Sequence, residues 1–294
     1  MKKVLTIFSV IILLSSCMPE SQNKHLTYQN IVILSDMSSR IRNERFPPKD
    51  DNEIRKIAQY FKTECVKPGE KIGDKSSITF SAFSEKIAIS VDVNKIKNLS
   101  EKQSFINSTG KYKNCGLEKK LVDFEDTVKS LYNRIANPGL DLISLLIEKI
   151  ENENIVKQGK VIPIGIDTTF INYENHIYIF TDAYLEYALS EKQKNSQYYF
   201  GALEIERVRQ YCVNNGVDIT TALKKDKSLR LPVCKSKKNK YLNLHILETH
   251  ERDKDTKFQT YRHSKGLRDN EILEAVWQKW ATESGFKSFE WKKY

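Results

Sequence analysis

One short run constrains the fold of this sequence most: nearly every residue in it is apolar and β-branched, and a polar turn follows at once. Residues 30–34 read NIVIL, and Ser35 and Asp36 come next. A strand with one solvent-exposed face alternates apolar and polar residues, whereas a continuous apolar run indicates a strand buried on both faces. Such strands occur in parallel sheets that helices cover on both sides. The run therefore predicts an α/β fold.

The rest of the chain alternates between strand-like and helix-like segments. Two β-rich runs separated by a short polar break predict a hairpin, and therefore one antiparallel strand. The predicted strands after residues 30–34 are residues 77–83, 86–91, 161–164, 176–180, 241–247 and 286–291. The predicted helices are residues 54–65, 117–136, 140–150, 202–213 and 270–283. We expect one Rossmann-like domain at residues 25–294, with a mostly parallel central sheet, one antiparallel edge strand and helices on both faces. Asp50 or Asp51 is the expected N-cap of the first helix.

Residues 92–116 interrupt this alternation. They are polar and rich in lysine, and they contain Gly110 and Gly116. Without a clear apolar period, such a segment is typical of a loop. We expect an insertion or long loop here.

The first seventeen residues form a segment of a different kind. Two lysines follow Met1, an apolar run extends from Val4 to Leu14, and two serines precede Cys17. This is the layout of a secretory signal, and the run is shorter than the ~20 apolar residues that a membrane-spanning helix needs. Residues 14–17 (LSSC) resemble a lipobox, the processing site of bacterial lipoproteins. The alternative is an ordinary signal peptide with a chance cysteine.

The lipobox resemblance implies a location in the cell. We expect residues 1–16 to be a signal peptide and residues 17–24 a tether whose Cys17 carries acyl chains such as palmitate. That anchor places the domain outside the cytoplasm, on a membrane of the bacterial cell envelope, with the periplasmic or surface face left open. No second apolar run of spanning length follows.

Four further cysteines bear on the same compartment. An even number of cysteines in an oxidising environment permits disulfides, and three combinations are open. We hypothesise the pairs nearest in sequence, Cys65 with Cys115 and Cys212 with Cys234. No C-x-x-C spacing occurs, which argues against zinc and thioredoxin-like redox sites.

The net charge of +10 raises the question of nucleic acid. Nucleic-acid binding needs a basic face with interleaved aromatic residues or a known motif. The one lysine cluster, residues 235–240, has neither, and we expect a solvated loop and no nucleic-acid partner. Attraction of this cluster to anionic lipids or acidic glycans stays open.

Two of the predicted strands end in acidic residues. Asp36 follows the first strand, and Asp182 follows the strand at 176–180. Ligands of open parallel sheets bind beyond the carboxyl ends of the strands. Because Ser38 and Arg40 share the turn of Asp36, we expect these four residues to form a binding site. Tyrosines 184 and 187 follow Asp182 and are open to either a binding or a packing role.

This pattern resembles the von Willebrand factor type A domain. In that family the first strand ends in D-x-S-x-S, an antiparallel strand lies next to it, and a later strand ends in T-D. The resemblance implies a metal-ion-dependent adhesion site in which Asp36, Ser38 and Asp182 hold Mg²⁺ and an acidic group of the partner completes the shell.

The chain departs from the family pattern at two ligands. Arg40 stands where the second hydroxyl belongs. Leu140, in the stretch at 138–141 (PGLD), stands where a second-loop threonine belongs, with Ser39 and Asp141 as the substitutes at hand. Two interpretations stay open: a weak Mg²⁺ site, or a metal-free site in which the guanidinium of Arg40 pairs with the acids.

The function expected from these features is that of a membrane-anchored, non-enzymatic binding or adhesion-type module with a protein or peptide partner. The alternatives are an envelope hydrolase that uses Asp36, and a structural envelope lipoprotein whose site has decayed. Hydrolase motifs fit poorly. Ser38 replaces the second acid of a haloacid dehalogenase, Met37 replaces the serine of a GDS-type esterase, and G-x-S-x-G is absent.

Overall fold

The computed structural model describes residues 23–69, 75–134, 139–164, 167–187, 198–248 and 250–294. The predicted signal peptide and the predicted lipidation site at Cys17 lie outside the described residues. The chain divides into two compact units. The smaller comprises Met1–Thr27 and Gln158–Asn172, and the larger comprises Tyr28–Lys157 and Tyr173–Tyr294. None of the helices within the described residues is long and apolar enough to cross a membrane.

The described residues form nine strands and seven α-helices. The strands are β1 (Asn23–Ser35), β2 (Ser77–Ala82), β3 (Ile89–Asp92), β4 (Lys160–Ile164), β5 (Asp167–Thr181), β6 (Leu242–Glu248), β7 (Lys254–Asp255), β8 (Thr260–Tyr261) and β9 (Ser288–Lys293). The helices are α1 (Phe46–Tyr60), α2 (Leu99–Ile106), α3 (Leu117–Tyr132), α4 (Leu142–Asn152), α5 (Ala202–Asn215), α6 (Ile219–Lys225) and α7 (Asp269–Glu283). A π-helical stretch, Phe61–Val66, continues α1.

The smaller unit contains an antiparallel pair. β4 pairs with the first residues of β5, from Lys160 opposite Ile171 to Ile164 opposite Asp167. The ring of His25 stacks on Phe170 at a centroid distance of 4.7 Å. The strand predicted at 161–164 is present.

The larger unit contains a sheet in the order β3-β2-β1-β5-β6-β9. β2 runs parallel to β1, and β5, β6 and β9 run parallel to one another. Side-chain hydrogen bonds join β1, or the residue directly after it, to β5, as between Asn30 and Asn175, and the bonded residues are always 145 apart in sequence. A constant difference in residue number indicates that β1 and β5 are parallel neighbours. β3 is antiparallel to β2 and forms an edge. The predicted α/β, Rossmann-like sheet is confirmed, although the antiparallel strand lies beside β2 and not beside β1.

Apolar residues fill both faces of this sheet. In β1, Val32 and Leu34 belong to a core shared with α4, α5, α6 and α7. The alternate residues Ile31 and Ile33 belong to a second core shared with α1, α2 and α3. Burying each such side chain contributes about 1.5–3 kcal/mol. The continuous apolar run is thus explained, and helices cover both faces as expected.

Segment 92–116 is structured, contrary to the predicted loop. It contains helix α2, whose N-cap Asn98 accepts a hydrogen bond from the backbone N–H of Glu101 at 3.0 Å. Phe105 and Ile106 pack into the second core. The helix was missed because eight residues give too short an apolar period to detect.

Helix α1 begins earlier than its sequence predicts. Its first turn contains two prolines, and residue 45 is the N-cap. Proline is accepted there because the first amides of a helix have no partner within it. Asp50 and Asp51 therefore lie inside the helix, and the N-cap prediction for them is wrong.

Neither predicted disulfide is formed among the described residues, since no bridge joins Cys65 to Cys115 or Cys212 to Cys234. Cys212 is buried in the first core and Cys234 packs against it, while Cys65 packs against the second core. Cys115 is exposed, and its thiol donates to the backbone carbonyl of Lys111 at 3.5 Å. Each of these groups is accommodated without a bridge.

Candidate functional site

The order of the strands reverses between β1 and β5. β2 and β3 continue outward on one side of β1, while β5, β6 and β9 lie on the other. A crevice opens at such a switch point, beyond the carboxyl ends of the strands. Here it is a cleft of about 420 Å³, and Asp36, Ser38, Arg40 and Asp182 all line it. The structure therefore brings the four predicted site residues together.

Asp36 is held from both strands. Its backbone N–H donates to the carbonyl of Phe180 at 2.8 Å. One carboxylate oxygen accepts from the backbone N–H of Ser38 at 3.1 Å, and the other accepts from the hydroxyl of Thr181 at 3.2 Å. The residue is only 4% exposed. Burial raises the pKa of Asp36 to about 6, an effect that Arg40 opposes and Asp182 reinforces.

Arg40 connects the cleft to a buried polar cluster. Its Nε donates to the backbone carbonyl of Asp36 at 2.6 Å, and its Nη2 pairs with Asp50 at 2.8 Å. Asp50 also accepts hydrogen bonds from the hydroxyls of Tyr132 and Tyr294, each at 2.8 Å. Arg40 thus forms its ion pair with Asp50, whereas the sequence suggested a pairing with the cleft acids. Burial alone would lower the pKa of Arg40, but the carboxylate of Asp50 outweighs this effect, and the net pKa is raised above its usual value.

A second arginine, Arg252, pairs with the other acid. Its Nε and Nη2 lie 2.8 and 2.7 Å from Oδ2 of Asp182, and its Nη1 donates to Glu186. The guanidinium lies over the ring of Tyr184, 4.0 Å from the centroid. Burial lowers the pKa of Arg252, but the two carboxylates outweigh it and the net pKa is raised.

One feature of the sequence could have identified Arg252. It follows β6, which lies next to β5, and so it emerges at the same edge of the sheet. The rule that predicts the acids after β1 and β5 as site residues also applies to the residues that follow the predicted strand at 241–247. Glu186 and Tyr199, which also line the cleft, carry no comparable signal.

Ala183 adopts an unusual backbone conformation directly after Asp182. Its φ is 67°, in the left-handed region that costs an L-residue roughly 1–2 kcal/mol. Its N–H donates to the hydroxyl of Thr181 at 3.0 Å, and its carbonyl accepts from the indole N–H of Trp277 at 3.0 Å. Since strain of this kind persists only when neighbours hold it, the turn beside Asp182 is fixed by the core.

The loop before α4 forms another wall of the cleft. Gly139 has a φ of +110°, and a Cβ there would lie 2.6 Å from the backbone oxygen of Glu186. Leu140 lines the cleft. Asp141 caps α4 by accepting from the N–H and hydroxyl of Ser144 at 3.0 and 2.7 Å. A residue considered as a substitute metal ligand is thus engaged as a helix cap. Pro138 and the side chain of Ser39 lie outside the described residues.

The donor set does not fit Mg²⁺ in this arrangement. Mg²⁺ needs about six oxygens in an octahedron. The carboxylate of Asp182 is already engaged by Arg252, and the guanidinium of Arg40 lies close to Asp36. The positive charge in this cleft comes from arginine.

One histidine, His250, also lines the cleft. Its ring packs on Phe46 at a centroid distance of 4.6 Å. Burial lowers the pKa of His250, so the imidazole is neutral at physiological pH. It adds an aromatic surface and no positive charge.

No protein-family model matches the chain, and no curated protein is significantly similar to it.

Proposed function

We propose that the chain is a non-enzymatic binding module, built like a von Willebrand factor type A domain and anchored by lipid on Cys17 outside the cytoplasm of a bacterium. The partner, a protein or peptide, binds in the cleft of Asp36 and Asp182. One observation carries the proposal: two acids far apart in sequence converge in a cleft at the switch point of the sheet. Ligand sites of doubly wound folds lie at this place.

Two features support the resemblance. The antiparallel strand β3 lies at the edge of an otherwise parallel arrangement on the first side of the sheet. Asp36 with Ser38, and Thr181 with Asp182, follow neighbouring strands as the family motifs require. The site departs from the family pattern where Arg40 and Leu140 replace two hydroxyl ligands, and arginine takes the place of the metal.

The lining of the cleft supports a binding role. Tyr199, 40% exposed, lines it beside the charged groups, whereas Tyr184 and Tyr187, each 6% exposed, present little surface to a ligand. Tyrosine supplies apolar contact area together with a polar tip, and it is enriched where binding energy is concentrated.

Site-specific photo-crosslinking in cells tests the binding role. A photoreactive phenylalanine replaces Tyr199, which is partly exposed in the cleft, or Val213, which is exposed on α5, as a matched control. We expect a discrete crosslinked partner from position 199 only, and loss of that product when Asp182→Asn is added. Equal products from both positions, or none from position 199, contradict a binding cleft.

Metabolic labelling with palmitate tests the anchor. The wild-type chain should incorporate label and sediment with membranes, whereas Cys17→Ala should do neither. Cys115→Ala, which removes an exposed thiol of the folded part, is the control. Label that persists in Cys17→Ala contradicts the lipoprotein assignment.

A hydrolase using Asp36 is the second candidate, and the raised pKa of Asp36 is the observation that favours it. A panel of phosphate and ester substrates tests it. Turnover that Asp36→Asn abolishes would place this function ahead of binding.

A further inference from the structure

We infer that the cleft recognises a cationic group, a guanidinium or a primary ammonium, and that Arg252 occupies the place of that group until the ligand displaces it. The inference rests on the proposed function, because it names the ligand chemistry of the same cleft.

The charges lining the cleft do not balance. Three carboxylates line it: Asp36, Asp182 and Glu186. Of its two guanidiniums, Arg40 is paired with Asp50 at 2.8 Å, and both side chains are at most 1% exposed. Counting Asp50, four carboxylates share two guanidiniums: Arg252 contacts Asp182 and Glu186, while Arg40 serves Asp50 and the nearby Asp36. Such an excess of negative charge attracts cations and repels acidic partners.

Arg252 shows how a cation is held in the cleft. Two carboxylates accept its hydrogen bonds, and the ring of Tyr184 lies beneath its guanidinium. Carboxylates combined with aromatic faces are a recurrent means of binding ammonium and guanidinium groups. Tyr187 and Tyr199, whose rings meet edge to face at 5.4 Å, extend the aromatic surface of the same cleft.

The two members of this ion pair differ in their freedom to move. The side chain of Arg252 is 38% exposed, whereas that of Asp182 is 3% exposed. Arg252 can therefore swing into solvent, but Asp182 stays behind as a buried charge. A buried carboxylate without a cation is unfavourable, so Arg252 leaves only in exchange for another cation.

Direct binding to the purified chain, in two arms, tests the inference. The probes are a fluorescent peptide with a central arginine and its matched peptide with glutamate at that position, followed by fluorescence anisotropy. The variants are Arg252→Ala and Asp182→Asn. The controls are Arg55→Ala, at a surface ion pair with Asp51, and Asp126→Asn, at an exposed acid. Circular dichroism and thermal unfolding check that each variant is folded.

Binding of the arginine peptide should respond to the two variants in opposite directions. Arg252→Ala removes the internal competitor and should raise the affinity several-fold, up to about tenfold. Asp182→Asn removes a charge-assisted acceptor and should lower the affinity by about tenfold. The control variants should bind as wild type does, and the glutamate peptide should not bind.

A competition arm identifies the source of the cation. If agmatine displaces the arginine peptide, a free small cation suffices; if the peptide binds and agmatine does not compete, the cation belongs to a peptide or protein partner. Both results support recognition of a cation.

Two outcomes overturn the inference. In one, the glutamate peptide binds and Arg252→Ala abolishes that binding, so that Arg252 is an anchor for anions. In the other, neither the wild-type chain nor the Arg252→Ala variant binds the arginine peptide or agmatine. The crosslink from position 199 is independent of the charge of the probe, so a binding cleft survives either outcome if that crosslink forms.

Discussion

Replacement of Asp50 by asparagine should strongly destabilise the protein. Asp50 is completely buried and accepts hydrogen bonds from Arg40, Tyr132 and Tyr294, each at 2.8 Å. Asparagine keeps the shape but loses the charge and one acceptor oxygen. The guanidinium of Arg40, 1% exposed, then lacks its carboxylate inside the protein.

The size of the effect follows from this burial. Removing one partner of a buried ion pair costs about 3–5 kcal/mol, because the remaining charge stays desolvated. We expect the free energy of unfolding of Asp50→Asn to fall by about that amount. Adding Arg40→Met should restore part of the loss, since it removes the uncompensated charge.

Urea unfolding followed by tryptophan fluorescence measures the change. The neighbouring Asp51 provides a matched control, because it pairs with Arg55 at 3.0 Å on the surface. Asp51→Asn should lower the free energy of unfolding by less than about 1 kcal/mol. If Asp50→Asn is no more destabilising than Asp51→Asn, the buried ion pair of Arg40 and Asp50 does not contribute the stability expected of it.

Three further changes test other parts of the structure through the same urea assay. The pKa of Asp36 is raised from 3.8 to about 6, so between these pH values the folded state binds more protons than the unfolded state. The stability attributable to Asp36 therefore falls as pH rises through this window. Asp36→Asn should remove that fall in urea midpoints measured from pH 4 to 7. Ala183→Gly should leave stability unchanged or raise it by up to about 1 kcal/mol, because glycine tolerates the left-handed φ. The control Ala281→Gly, in the buried face of α7, should lower stability by about 1 kcal/mol. Equal losses at both positions would argue against backbone strain at residue 183. Trp277→Phe should lower stability by about 1–3 kcal/mol, because the carbonyl of Ala183 loses its buried donor, and an unchanged midpoint would show that this hydrogen bond contributes little.

The fold could be predicted because its strongest signals are local. The apolar run at 30–34 and the strand at 176–180 both have to be buried on two faces, and parallel strands place their carboxyl ends together. The convergence of Asp36 and Asp182 follows from that geometry. Helix α2 gave no such signal, because Phe105 and Ile106 are its main core contacts.

The charge pairing in the cleft could not be predicted, because it depends on residues distant in sequence. Arg40 is four residues from Asp36, and that proximity suggested the wrong ion pair. In the structure Arg40 pairs with Asp50, and Arg252, 70 residues from Asp182, approaches the second acid. Spacing along the chain reveals which residues share a turn but not which carboxylate a long side chain reaches.

The nature of the cation in the cleft can be measured directly. Crystals of the protein grown or soaked in Mn²⁺, with anomalous diffraction data, would show whether a metal lies between Asp36 and Asp182. We expect no anomalous peak there and continuous density for the guanidinium of Arg252 on Asp182. An anomalous peak about 2.1 Å from oxygens of both acids, with Arg252 displaced, would contradict a cleft whose positive charge is an arginine.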